Sequence, residues 1–78
     1  MKKVEIYSTA SCHFCHLAKE FFTSNNIPFV DYNVGADTEK RKEMIDKSGQ
    51  MGVPVIVVDG KDVVVGFDKD TLVNLLAT

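Results

Sequence analysis

The sequence has no apolar stretch long enough to cross a bilayer: its longest, residues 53–58, contains a proline and falls far short of the roughly 20 residues a membrane helix needs. No apolar segment follows the basic start Met1-Lys2-Lys3 either, because Glu5 interrupts it, so no export signal is expected and the cytosol is the expected compartment. There is no surplus of positive charge. Nine Lys and Arg stand against eleven Asp and Glu, a formal net charge of -2, which leaves little to neutralise a phosphate backbone and excludes nucleic acid as a partner. Repeats, low-complexity tracts and linkers are missing between residues 4 and 76. With 78 residues, 45% of them hydrophobic, the chain suffices for one core and is too short for two, so residues 1–78 are expected to form a single domain.

Cysteine is scarcest where it matters most. Only Cys12 and Cys15 occur, and the only histidines are their neighbours His13 and His16. A crosslink between two such close cysteines closes too short a loop to remove much unfolded-state entropy, which excludes a structural staple. What remains is a bond made and broken in turnover, or half of a metal site. A structural zinc site normally draws a second ligand pair from a distant segment, and this chain has no other cysteine or histidine to supply one. Cys15-His16 also completes the Cys-x-x-Cys-His pattern of c-type haem attachment, with Met44 or Met51 as axial candidates, but haem attachment belongs to exported chains.

The elements follow from periodicity. Val4 and Ile6 alternate with Glu5 and lead into Tyr7, a short strand. Ser11 is the expected N-cap of a helix whose apolar positions Phe14, Leu17, Ala18, Phe21 and Phe22 recur at helical spacing until Asn25-Asn26 and Pro28. Strand character resumes over residues 29–34. Asp37 or Thr38 caps a more solvated helix carrying Met44 and Ile45, which stops near Ser48-Gly49. On that helix Lys40-Arg41-Lys42 lies between Glu39 and Glu43 and reads as a solvated face. Residues 55–58 are continuous and β-branched, Asp59-Gly60 signals a tight hairpin, and residues 63–65 form the return strand. Asp68 caps a last helix bearing Leu72, Leu75 and Leu76. The order β-α-β-α-β-β-α implies an α/β fold: a four-stranded mixed sheet with one parallel crossover and one antiparallel hairpin, covered by helices. Glu5 and Tyr7 receive no role from the sequence.

Two residues between the cysteines at a helix start place the sulfurs about one turn apart, while the first faces unpaired backbone N–H groups. A free thiol with a pKa of about 8.5 is only a few per cent thiolate at neutral pH, and the thiolate is the attacking species. The helix dipole supplies roughly one pKa unit of the required lowering. Bonds from N–H groups to the sulfur, a hydrogen bond from the second thiol and positive charge on His13 are the available additions. Cys12, which precedes the first turn, is therefore the expected nucleophile, Cys15 the resolving thiol and His13 a tuning residue. No bound cofactor is required.

Cys12-His13-Phe14-Cys15, Gly52-Val53-Pro54 and Gly66-Phe67-Asp68 together resemble the glutaredoxins, and more narrowly the short bacterial glutaredoxin-like proteins, over essentially the whole chain. The resemblance implies a minimal thioredoxin fold and thiol–disulfide oxidoreductase activity on disulfide-containing proteins, with glutathione as co-substrate. It also implies a cis Val53–Pro54 bond beside the cysteines, the Val53 backbone pairing with a peptide-like substrate. By the same resemblance Phe14, Phe67 and Asp68 line a glutathione groove, the Asp68 region holding the γ-glutamyl carboxylate. Three positions depart from the family pattern: His13 stands where proline is usual, Thr9 where a basic residue is usual, and Val65-Gly66 where two glycines are usual. These departures point toward an alternative within the same chemistry, a redoxin reduced by a flavoprotein thioredoxin reductase. The rival from another class is a carrier of an iron–sulfur cluster bridged between subunits by Cys12 and glutathione, as in some glutaredoxins.

Overall fold

In the computed structural model, which describes residues 3–76, β1 (Val4–Ser8) and β3 (Val55–Val58) are buried along their whole length, as strands at the centre of a sheet must be. The continuous run of valine and isoleucine in β3 is suited to that place, since both of its faces are covered. β2 (Val30–Asn33) and β4 (Asp62–Val65) are the edges, and the strand order is β2-β1-β3-β4. β1 runs parallel to β2 and antiparallel to β3, which pairs antiparallel with β4. With α1 (His13–Ser24), α2 (Thr38–Ser48) and α3 (Lys69–Leu76), the element order is the expected one.

Alternation along the strands divides the core. Val4, Ile6, Ile56, Val58 and Val64 form one cluster with Ala18 and Phe22 of α1 and Leu72 of α3. Tyr7, Val55 and Val57 turn the other way and meet Val34 and Met44 of α2. Phe29, expected to open β2, packs its ring 5.4 Å from that of Phe22 instead, so the strand starts one residue later. The hairpin turn has φ of 56° at Asp59 and 72° at Gly60, the positive pair a two-residue primed turn demands. Gly49 ends α2 in the left-handed conformation, and the Asp37 carboxylate caps its start by accepting the N–H groups of Glu39 and Lys40.

Two expectations are corrected here. Glu5 and Tyr7, left without a role, are buried beneath α2 in a polar network. Tyr7 donates its hydroxyl to Glu43 at 2.7 Å, Tyr32 donates to Glu5 at 2.8 Å, and the two phenol rings lie 5.0 Å apart. Lys40 is not simply solvated: its ammonium bonds Glu43 at 3.1 Å and sits 4.2 Å over the Tyr32 ring, while Lys47 adds a second cation 3.4 Å from Glu43. Among the described residues no buried side-chain nitrogen or oxygen lacks a partner.

This network makes stability depend on pH at both extremes. The hydrogen bond from Tyr7, followed by that from Lys40, holds the Glu43 carboxyl at about 2 instead of its ordinary 4.5. A depressed acid stabilises the fold above its unfolded pKa and loses that contribution as pH falls from about 4.5 toward about 2. Burial, then the bond to Glu43, pushes the Tyr7 phenol upward, so its contribution is present below pH 10.0 and is lost above it. Because the Glu43 side chain is 34% exposed, solvent screening reduces its share to about 1 kcal/mol. Thermal melts between pH 2 and pH 5 are therefore expected to fall more steeply for the wild type than for Glu43→Gln. Parallel curves would remove Glu43 from the acid response.

Candidate functional site

The strand registers bring three segments to one end of the sheet. Tyr7 of β1 pairs with Val55 of β3, and Val55 pairs with Val65 of β4. The loop after Ser8 that carries Cys12, the Val53-Pro54 segment before β3 and the Gly66-Phe67-Asp68 segment after β4 thus emerge together. The Gly66 N–H, at a φ of 82°, donates to the Pro54 carbonyl at 2.8 Å and ties two of them directly.

Cys12 is itself the N-cap of α1, with extended backbone at φ -83° and ψ 113°. Ser11, the expected cap, stays outside and exposed, because the helix begins one residue later and the Cys12 sulfur reaches the N–H that a serine oxygen would have accepted. That sulfur accepts the Cys15 N–H at 3.1 Å, the usual side-chain bond from N-cap to third helical residue. The first turn of α1 holds no acidic residue, so no carboxylate there opposes negative charge on the sulfur. Cys12 and Cys15 are joined as a disulfide with Cα atoms 5.2 Å apart, within the usual range. Cys15 is fully buried, whereas Cys12 is partly exposed.

The remaining expected residues separate. Val53–Pro54 is a cis peptide bond, as the resemblance implies, and Pro54 is fully buried. Among the described residues no hydrogen bond uses the main-chain N–H or C=O of Val53. Asp68 caps α3, one carboxylate oxygen accepting the Thr71 N–H at 3.2 Å and the other the Thr71 hydroxyl at 2.8 Å; these bonds hold its carboxyl below the ordinary range. Phe67 turns toward Phe21, 6.0 Å between ring centroids, and closes the joint between α1 and α3. Phe14, one of the apolar positions expected along this helix, is 58% exposed, its ring 5.5 Å from that of His13. The buried stripe of α1 is Cys15, Ala18 and Phe22, which rotates Phe14 outward. His13 is exposed beside it. His16 bonds the Ala10 carbonyl at 2.9 Å, so that ring nitrogen carries its proton and holds the loop ahead of Cys12.

Two polar groups beside the site carry no periodic signal in the sequence. Asp31 accepts the hydroxyl of Ser8 at 2.6 Å and pairs with Lys19 at 2.7 Å, which fastens α1 to β1 and β2. Gln50 is folded over the loop that leads to Val53. No three His, Cys, Asp or Glu side chains among the described residues are grouped so as to hold a metal ion, and none of the helices is long and apolar enough to cross a membrane.

A reversible Cys-x-x-Cys disulfide at a helix N-terminus, at the end of a four-stranded mixed sheet where a cis-proline enters, defines a thiol–disulfide oxidoreductase of the thioredoxin fold. The sequence model of the glutaredoxin family matches residues 4–63. The chain belongs to the glutaredoxin family. It is 47% identical over 73 residues to an uncharacterized glutaredoxin-like 8.6 kDa protein in the rubredoxin operon of Clostridium pasteurianum, covering 94% of this chain and 96% of that one. Glutaredoxin 3 of Escherichia coli K12 is 36% identical over 63 residues, 81% of this chain and 76% of its own. Among solved structures, the thioredoxin-like protein BC3987 superimposes with a TM-score of 0.86 at 32% identity, covering 94% and 99% of the two chains. NrdH-redoxin from Escherichia coli, a glutaredoxin-like protein described by its thioredoxin-like activity profile, gives 0.80 at 26% identity, covering 94% and 93%.

Proposed function

We propose that this oxidoreductase works as a monomeric, single-domain dithiol enzyme of the cytoplasm, in which Cys12 attacks disulfides of proteins or of glutathione and glutathione restores the dithiol. The Cys12 thiolate attacks one sulfur of the substrate disulfide, forming a mixed disulfide and expelling the other sulfur as a thiolate. Cys15 loses its proton and attacks the Cys12 sulfur, which releases the second substrate thiol and leaves the Cys12–Cys15 disulfide. Two molecules of glutathione then return two electrons and two protons, leaving as glutathione disulfide. Electrons enter and leave as thiols, so no resident cofactor takes part.

The observation that carries the substrate side of this reading is the unpaired main chain of Val53. A free N–H and C=O next to a buried proline, at the sheet end that carries Cys12, suit the short antiparallel pairing by which an extended peptide docks. Phe14, Val53, Pro54, Phe67 and Asp68 form the glutathione groove in this reading, Phe14 and Phe67 as apolar walls and the α3 N-terminus as the pole for the γ-glutamyl carboxylate. His13 tunes the Cys12 thiolate.

A second reading is favoured by the likeness to NrdH-redoxin. Val65, where the family places glycine, is 51% exposed at the groove, and its side chain suits a protein reductant better than a tripeptide. The test mixes the oxidised protein either with glutathione, or with thioredoxin reductase and NADPH, and follows thiol appearance. Reduction by glutathione is expected; fast reduction by the flavoprotein alone would make the chain a thioredoxin-like redoxin.

A further inference from the structure

The geometry points to Gln50 as the positioning residue of the docking loop, holding residues 49–53 so that the Val53 main chain is set to receive a peptide disulfide. This inference rests on the docking of substrate at Val53 proposed above.

The Gln50 carboxamide bonds both main-chain groups of a single residue. Its Oε1 accepts the Gly52 N–H at 2.6 Å, and its Nε2 donates to the Gly52 carbonyl at 3.0 Å. An N–H can only donate and a carbonyl can only accept, so Gly52 fixes which way the amide faces. The same Nε2 lies 3.3 Å from the hydroxyl of Ser48, the last residue of α2. Ser48 in turn bonds the Met44 carbonyl at 2.7 Å and lies 3.0 Å from the carbonyl of Gln50. A continuous hydrogen-bonded path thus runs from the buried turn of α2, through Ser48 and Gln50, to Gly52, the residue that precedes Val53. Met44 is 1% exposed, so the path is anchored in the core, whereas Met51 at the tip of the loop is 59% exposed and anchors nothing. On the far side the loop is held by the Gly66 N–H on the Pro54 carbonyl. Val53 lies between the two anchors with its own N–H and C=O unused.

Glycine at position 52 follows from the same contact. A Cβ built there would stand 2.7 Å from Gln50 Oε1, closer than such atoms approach, so any side chain at 52 must push the amide away. Gln50 and Gly52 are therefore one device.

The test is single-turnover oxidation of the pre-reduced protein, which is independent of the physiological reductant. Two substrates are compared: glutathione disulfide, which has peptide bonds to offer Val53, and hydroxyethyl disulfide, which has none. Gln50→Ala is expected to raise the half-saturating concentration of glutathione disulfide about tenfold, the loss of roughly one to two neutral hydrogen bonds. Its limiting rate and its reaction with hydroxyethyl disulfide should stay within about twofold of the wild type. Gly52→Ala is expected to match it, and the double variant to be no worse than either single one, because both remove the same contact. Gln50→Glu keeps the shape and the acceptor but cannot donate to the Gly52 carbonyl. It should fail to rescue, an outcome that a space-filling role would not give. Independent multiplication of the two single effects, or an unchanged half-saturating concentration in Gln50→Ala, would overturn the role of Gln50. If instead the wild type shows no preference for glutathione disulfide over hydroxyethyl disulfide, docking at Val53 itself is wrong.

Discussion

Replacing Cys12 by serine is expected to abolish disulfide reduction, lowering the rate on the order of a thousandfold or more, since a hydroxyl is far harder to ionise than a thiol and is a poor nucleophile toward sulfur. Replacing Cys15 is expected to have a different consequence. Cys12 remains at the N-terminus of α1, bonded by the Cys15 backbone N–H at 3.1 Å, and that N–H survives in Cys15→Ser. The Cys15→Ser protein should therefore attack a disulfide and stop at the mixed disulfide, visible by mass spectrometry as one covalently bound substrate half. The asymmetry comes from position: Cys12 is the partly exposed cap, whereas Cys15 is fully buried one turn into the helix and is reached only by the neighbouring sulfur. Alkylation of the reduced wild type near neutral pH should label Cys12 first. Faster labelling of Cys15, or a trapped adduct on Cys15 in Cys12→Ser, would reverse the assignment.

How far the sequence reaches can be seen at α1. Helical spacing locates the helix and its buried side, because a stripe repeating every three to four residues has only one way to face a sheet. It does not fix rotation about the helix axis to better than one position. Phe14, Leu17, Ala18, Phe21 and Phe22 span a broad arc, and the fully buried line within it is Cys15, Ala18 and Phe22. The hairpin is more sharply specified, since Asp59-Gly60 can supply the two positive φ angles at little cost. The cis Val53–Pro54 bond is different again: periodicity says nothing of it, and only likeness to a family implies it.

Polar partners were legible least. Tyr7 and Glu43 lie 36 residues apart and Tyr32 and Glu5 lie 27 apart, so their pairing depends on strand register and on the seating of α2 against the sheet. Each looks locally like an ordinary surface or strand residue. Gln50 escaped for the opposite reason: its partners are within two residues, but nothing in a Ser-Gly-Gln-Met-Gly string distinguishes a side chain folded onto its own loop from one extended into water. Local composition identifies a loop, whereas the bonds that shape it depend on where the flanking helix and strand are anchored.

The second large effect is expected at Phe22. Its ring is fully buried between α1 and the sheet, 5.8 Å from Phe21 and 5.4 Å from Phe29, in the cluster that includes Ile6, Ile56 and Leu72. Truncation to alanine removes the aromatic burial and leaves a cavity that these neighbours cannot all close, at a cost of about 3–5 kcal/mol. A chain of 78 residues has about 4–12 kcal/mol of total stability, so the loss is about a quarter of it or more. In urea the midpoint should fall with little change in slope, and the melting temperature should drop by at least about 12 °C. Phe22→Leu, which keeps most of the volume, should cost far less and remain active at 25 °C. The consequence extends to the chemistry, because Phe22 shares the buried line of α1 with Cys15 and so helps to fix the position of the helix start that holds the Cys12 sulfur. Phe22→Ala should therefore lose activity on warming in step with its unfolding curve. A midpoint shift equivalent to less than about 1 kcal/mol would mean that Phe21, Phe29 and Phe67 refill the space, and that the core depends on this ring far less than its burial implies.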